Sequence, residues 1–169
     1  AEAASMMANV DYEMELISGI YEILPNRFGA GIIQNNFELL GEIKYTDSEI
    51  DYANTILKET GKELKGLDGT IKPLRPTLPA TGGSTDVGDV SQVVPVVRLR
   101  TTTAAKDGPW HSWAVVACTG MSIGHKGMIY ASKALAMTML DLYKNPKLID
   151  GVRKEFLVRK GDRVYVPQI

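Results

Sequence analysis

One cysteine and two histidines in 169 residues are scarcities that exclude more chemistry than the abundant residues suggest. The lone Cys118 rules out an internal disulfide. Its place in the apolar run 113–118, with no histidine beside it in sequence, reads as a small buried hydrophobe and not a reactive thiol. Two histidines alone cannot complete a metal site. There is no excess of either charge: 19 basic and 20 acidic side chains leave a formal −1, and no basic block tracks a phosphate backbone, so nucleic acid is excluded as a partner. No apolar stretch approaches the roughly 20 residues that span a bilayer. The start, Ala1-Glu2-Ala3-Ala4-Ser5-Met6-Met7, lacks the basic flank and apolar run of a signal peptide. These absences predict a cytoplasmic chain with no membrane partner. What is there, 44% hydrophobic and 23% charged residues, suits one globular domain with a sizeable core.

Periodicity predicts mixed secondary structure. Residues 9–21 alternate, with Val10, Tyr12, Met14 and Leu16 on one face and Asp11, Glu13 and Glu15 on the other, the signature of a half-buried strand. Leu24-Pro25 stops it, and Asn26 is placed to cap a helix running to Leu40, with Gly41 beyond its end. Gly29 and Gly31 weaken that helix, either for close packing or by simple tolerance. Thr46-Asp47-Ser48-Glu49 is a capping box that opens a second helix ending at Gly61. The irregular connection 61–83 is too long to be routine. Residues 93–103 and 112–119 read as two β-branched strands, the first with Pro95 near its start and the turn between them holding His111. Helical spacing resumes over residues 124–144, and Pro146 restarts a last helix toward Gly161. This order predicts an α/β or α+β architecture with helices packed on a mixed sheet. The opening strand is isolated from the later ones, which suggests that it closes a sheet belonging to a larger protein.

Two segments carry candidate chemistry. Gly82-Gly83-Ser84-Thr85-Asp86-Val87-Gly88-Asp89 sets two aspartates in a glycine-rich loop that would hold a hard cation, position a histidine, or cap the next element. Gly108-Pro109-Trp110-His111-Ser112-Trp113 sets one histidine on a turn between tryptophans. His111 is either a metal ligand or an imidazole packed between the two rings and bonded to backbone. His125, in Gly124-His125-Lys126-Gly127-Met128, lies at a helix entry whose partial positive charge favours anions, where it would either help bind a carboxylate with Lys126 or simply face solvent. No serine sits in a nucleophile elbow, and Gly82-Gly83-Ser84 precedes no lysine, so neither a serine triad nor a phosphate-binding P-loop is present. Metal-assisted chemistry is what remains, and it needs about three or more protein ligands.

These stretches resemble the M20 family of metal-dependent amidohydrolases and peptidases, and within it the p-aminobenzoyl-glutamate hydrolase subfamily. Leu24-Pro25-Asn26-Arg27 looks like the re-entry from the family's lid domain into its catalytic domain. Gly83-Ser84-Thr85-Asp86-Val87-Gly88-Asp89-Val90-Ser91 looks like the family's Gly-Ser-Glu-Asp loop. The His111 and His125-Lys126-Gly127-Met128 segments resemble the closing part, in which the last metal-binding histidine falls at His111.

The resemblance spans nearly the whole chain but only the C-terminal portion of the family's enzyme. It implies part of a Zn-exopeptidase-like catalytic domain over residues 23–169, with residues 1–22 as the last strand of a lid or dimerisation domain. It implies a parent hydrolase acting on an N-acyl amino acid amide such as p-aminobenzoyl-glutamate, with a divalent metal, Zn or Mn, and homo- or hetero-oligomeric assembly. His111 would ligate the metal, Asp86 and Asp89 would shape the loop behind the ligands, and Trp110 and His125 would face substrate. The general base would lie outside this chain, leaving the fragment inactive and weak in metal binding. The rival expectation is a non-catalytic binding or assembly module without metal.

Overall fold

The computed structural model describes residues 1–75 and 83–168, and every regular element within them is a helix. In order these are α1 (Glu2–Ala8), α2 (Arg27–Leu40), α3 (Asp47–Glu59), α4 (Val87–Val93), α5 (Trp113–Thr119), α6 (Ser122–Lys144) and α7 (Pro146–Lys160). The long α6 is the spine: α2 and α7 pack on it and on each other, α5 packs on its start, and α3 packs on α5.

The expected mixed sheet is overturned, since no strand occurs among the described residues. The physical reason is that a strand is defined by its neighbour. The alternating segment 9–21 has no such neighbour among the described residues, and both its faces are wet: Met14 and Leu16 on the apolar side are 83% and 71% exposed. Ahead of it, the strong helix formers of the Ala/Met-rich start wind into α1, which buries nothing. The run 93–103 leaves α4 at the extended Val94 and continues without regular structure, unpaired among the described residues. Residues 112–119, read as a strand, instead give α5 behind Ser112, because the small side chains Ala114 and Cys118, four apart, both bury against α3 and α6. Gly82 and part of the 61–83 connection lie outside the described residues.

The helix boundaries set by local capping follow the sequence closely. The Asn26 carboxamide accepts from Gly29 N–H at 2.8 Å and donates to Val152 C=O of α7 at 2.8 Å, so one side chain both starts α2 and ties it to α7. Phe28 N–H adds a 2.6 Å bond to the Glu155 carboxylate. Pro146 opens α7 at its first turn. The two α2 glycines differ: a Cβ at Gly29 would overlap the Val97 side chain, whereas one at Gly31 would meet open space.

The principal core joins Ala53, Ile56 and Leu57 of α3 to Ala105, Ala114, Cys118 and Ile123. Above it lies one buried carboxylate. Glu49 completes the capping box, accepting from Thr46 N–H at 2.7 Å, and also takes Lys126 Nζ at 2.6 Å and Ser122 Oγ at 2.6 Å from the start of α6. Burial opposes its charge, but the bonds from Lys126, Ser122 and Thr46 outweigh burial and hold its pKa at about 2. Tyr45, beside it, is pushed up to about 12 by burial and by the Glu49 charge.

The packing of α2 and α3 can be tested by substitution. Gly29→Ala should destabilise the chain by about 1–3 kcal/mol through overlap with Val97, while Gly31→Ala should be neutral or stabilise it by up to about 1 kcal/mol; urea melts of the two variants check the contrast. Because Glu49 has a lower pKa folded than unfolded, its contribution is present above the ordinary value of 4.5 and is lost as pH falls toward about 2. Glu49→Gln should therefore cost about 2–3 kcal/mol at pH 7 and progressively less below pH 4.5. A stability gap that stays constant from pH 7 to pH 2 would contradict the assignment.

Candidate active site

His111 sits on a loop fastened at several points before it enters α5. Ala105 is buried in the core, Lys106 N–H donates to Gly66 C=O at 2.9 Å, and Gly108 N–H donates to Ala105 C=O at 3.2 Å. Lys106 Nζ pairs with Asp68 at 3.1 Å, and Lys65 pairs with Asp107 at 2.9 Å. The bond from the Thr70 hydroxyl at 2.5 Å, the Lys72 and Lys106 ammoniums and the Thr70 N–H hold the Asp68 carboxyl well below the usual range against its partial burial. Lys65 likewise lowers Asp107. Ser112 Oγ closes the turn on Pro109 C=O at 2.6 Å.

The backbone at His111 is left-handed, with φ 56°, a conformation uncommon outside glycine though enriched in histidine. The imidazole is exposed and makes no hydrogen bond among the described residues. Trp110 and Trp113 on either side are 68% and 55% exposed. The alternative of an imidazole bonded to backbone between packed rings is therefore not the arrangement found. Its nitrogens are open to an external partner.

The two aspartates of the glycine loop are separated in role. Asp86 precedes α4 and is exposed, and among the described residues its carboxylate accepts only from the neighbouring Thr85 Oγ at 3.4 Å. Asp89 accepts from Tyr21 N–H at 3.4 Å and Tyr165 O–H at 3.2 Å; desolvation and then this bond to Asp89 raise the Tyr165 pKa. Asp89 thereby helps clamp three segments. The Tyr21 and Tyr165 rings meet at 5.5 Å, Ser91 Oγ accepts from Leu24 N–H at 2.9 Å, and Gly88 lies where any Cβ would strike the Tyr21 carbonyl.

His125 lies in the first turn of α6, exposed, on the wall of an open groove near the end of α2. No hydrogen bond or ion pair among the described residues joins His111 to Asp86, Asp89 or His125. No group of three His, Cys, Asp or Glu side chains among the described residues is placed to hold a metal ion. One imidazole is one donor, so these residues do not by themselves fit a metal. Sequence reading missed the Asp68 hub and the second role of Glu49. The only available signal for the latter was Lys126 beside His125, since the capping box already accounted for Glu49 locally.

No family model matches the chain, and no solved structure does. Two curated proteins do. The chain is 27% identical over 180 aligned positions to a subunit of p-aminobenzoyl-glutamate hydrolase of Escherichia coli (strain K12), an alignment covering 92% of this chain and 37% of that protein. It is 39% identical over 74 positions to Xaa-Arg dipeptidase of Mus musculus, covering 44% of this chain and 17% of that protein. The chain thus spans well under half the length of the curated relatives it matches. Both names fit the M20-family resemblance that the chain's own motifs carry.

Proposed function

We propose that this chain is one portion of a metal-dependent amidohydrolase acting on an N-acyl amino acid, of which p-aminobenzoyl-glutamate is the type, and that His111 supplies one metal ligand. The observation that carries this reading is the His111 loop. An exposed imidazole without a partner among the described residues is held in a left-handed turn between two exposed indoles, on a segment anchored by Asp68, Lys65 and the α3 core. The metal, when bound, would acidify a water and polarise the amide carbonyl. This chain's own part is to present the imidazole, with Trp110 as an apolar wall for the acyl group. Asp86 and Asp89 shape the loop that clamps α4 to residues 21–24.

The remaining ligands and the general base belong to other parts of the parent protein. In keeping with that, the chain exposes 11960 Å², against about 8200 Å² for a compact monomer of 18.5 kDa. The surplus suits burial against further protein, with residues 1–22 going to a lid or dimerisation domain and residues 23–169 to the catalytic domain. The bacterial relative is named as one subunit of its hydrolase, which favours homo- or hetero-oligomeric assembly of the parent.

In the full-length parent, His111→Ala should lower metal content and hydrolysis together. The loss should exceed the roughly 10–100-fold seen when a residue that merely orients a ligand is changed. The 169-residue chain alone should hydrolyse no acyl-glutamate. Metal analysis of the purified variant decides: full occupancy after His111→Ala would favour a binding or assembly module instead.

A further inference from the structure

Two stretches of this chain leave their backbones open, and their side chains complement each other. From Pro95 to Thr101 no backbone N–H or C=O is hydrogen-bonded among the described residues, and the same holds from Asp11 to Ile20. Open backbone of this kind is a template for pairing with another chain. The first stretch is backed by helices. Val97 packs where α2 has Gly29, Thr101 Oγ1 donates to Gly127 C=O of α6 at 3.2 Å, and Leu99 between them is half-buried. Arg98 and Arg100, at the alternate positions, are exposed and have no ion pair among the described residues.

The second stretch carries the opposite charge with the same period. Asp11, Glu13 and Glu15 are exposed and have no ion pair among the described residues. They alternate with Val10, Tyr12, Met14 and Leu16, which are exposed as well. Laid along residues 96–101, this arm would bring its carboxylates to the two guanidiniums and its apolar side chains to the side of Val97 and Leu99. Opposite charges directly across such a pair stabilise it, and one polar and one apolar face together fix its register. Within one chain the two stretches make no hydrogen bond or ion pair with each other among the described residues. Each chain nevertheless carries both halves of the complement, so two copies satisfy each other twice and close a two-fold dimer.

We propose that residues 96–101 are a docking edge for residues 10–16 of a second copy of this chain, exchanged reciprocally, with Asp11, Glu13 and Glu15 against Arg98 and Arg100. The helical fold of each copy is untouched, and the proposal is independent of the hydrolase reading. Sedimentation equilibrium of the 169-residue chain should show a monomer–dimer equilibrium with a dissociation constant on the order of 10 µM. Hydrogen exchange at amides 11–16 and 96–101 should slow as the dimer fills. Arg98→Glu with Arg100→Glu, and separately Asp11→Lys with Glu13→Lys and Glu15→Lys, should each weaken self-association at least about tenfold. All five positions are exposed, so the thermal midpoint of the dilute monomer should stay unchanged. Mixing the two variants restores both contacts with the charges reversed at one of them, and should return a mixed dimer. A chain that stays monomeric up to about 500 µM would overturn the proposal. So would a dimer indifferent to both charge reversals, or protection of residues 11–16 that does not vary with concentration, which would mark pairing with the chain's own edge.

Discussion

The arrangement hangs on a buried carboxylate that must be satisfied from two directions. Glu49 is 8% exposed, so leaving its charge unpaired would be strongly destabilising. Thr46 meets that need within α3, and Ser122 and Lys126 meet it from α6. The local bonds fix where α3 begins, and the distant ones fix where α6 begins relative to it. Because α5 runs straight into α6 and rests on α3, its place is set by the same donors, and with it the exit of the loop that bears His111.

Asp68 does on the other side of that loop what Glu49 does beneath it. It gathers Thr70, Lys72 and Lys106 around one carboxylate, and its carbonyl accepts from the Thr102 hydroxyl. The connection following α3, which has no regular structure among its described residues, thereby grips the chain at residues 102 and 106. An irregular segment can be well placed when a charged hub replaces a hydrogen-bond ladder. The result is a candidate site whose support is ionic on the loop side and apolar on the helix side.

What was legible in the sequence was what is decided within one helical turn. The Thr46–Glu49 box, Asn26 and Pro146 declare helix starts because their partners lie a few residues away. Strands are not declared in that way. The alternation of residues 9–21 and the β-branched run 93–103 express a capacity for pairing, which is realised only beside another strand, and neither segment has one among the described residues. The stretch 113–119 misled for a different reason. Its valines suggest a strand, but the residues that bury are the small Ala114 and Cys118, at helical spacing. At the candidate site, His111 stood out by scarcity and by its indole neighbours. The link from Glu49 to Lys126 did not, since no local pattern reports a bond between residues 77 positions apart.

The left-handed backbone at His111 sets local stability and chemistry against each other at one position. Glycine would occupy that turn with less strain, by on the order of 1 kcal/mol. A selection for more thermostable forms of this chain would drift toward removing the imidazole, and the improved proteins would be the ones that had lost it. Screening for thermal tolerance alone is therefore the wrong filter for this sequence unless residue 111 is held fixed.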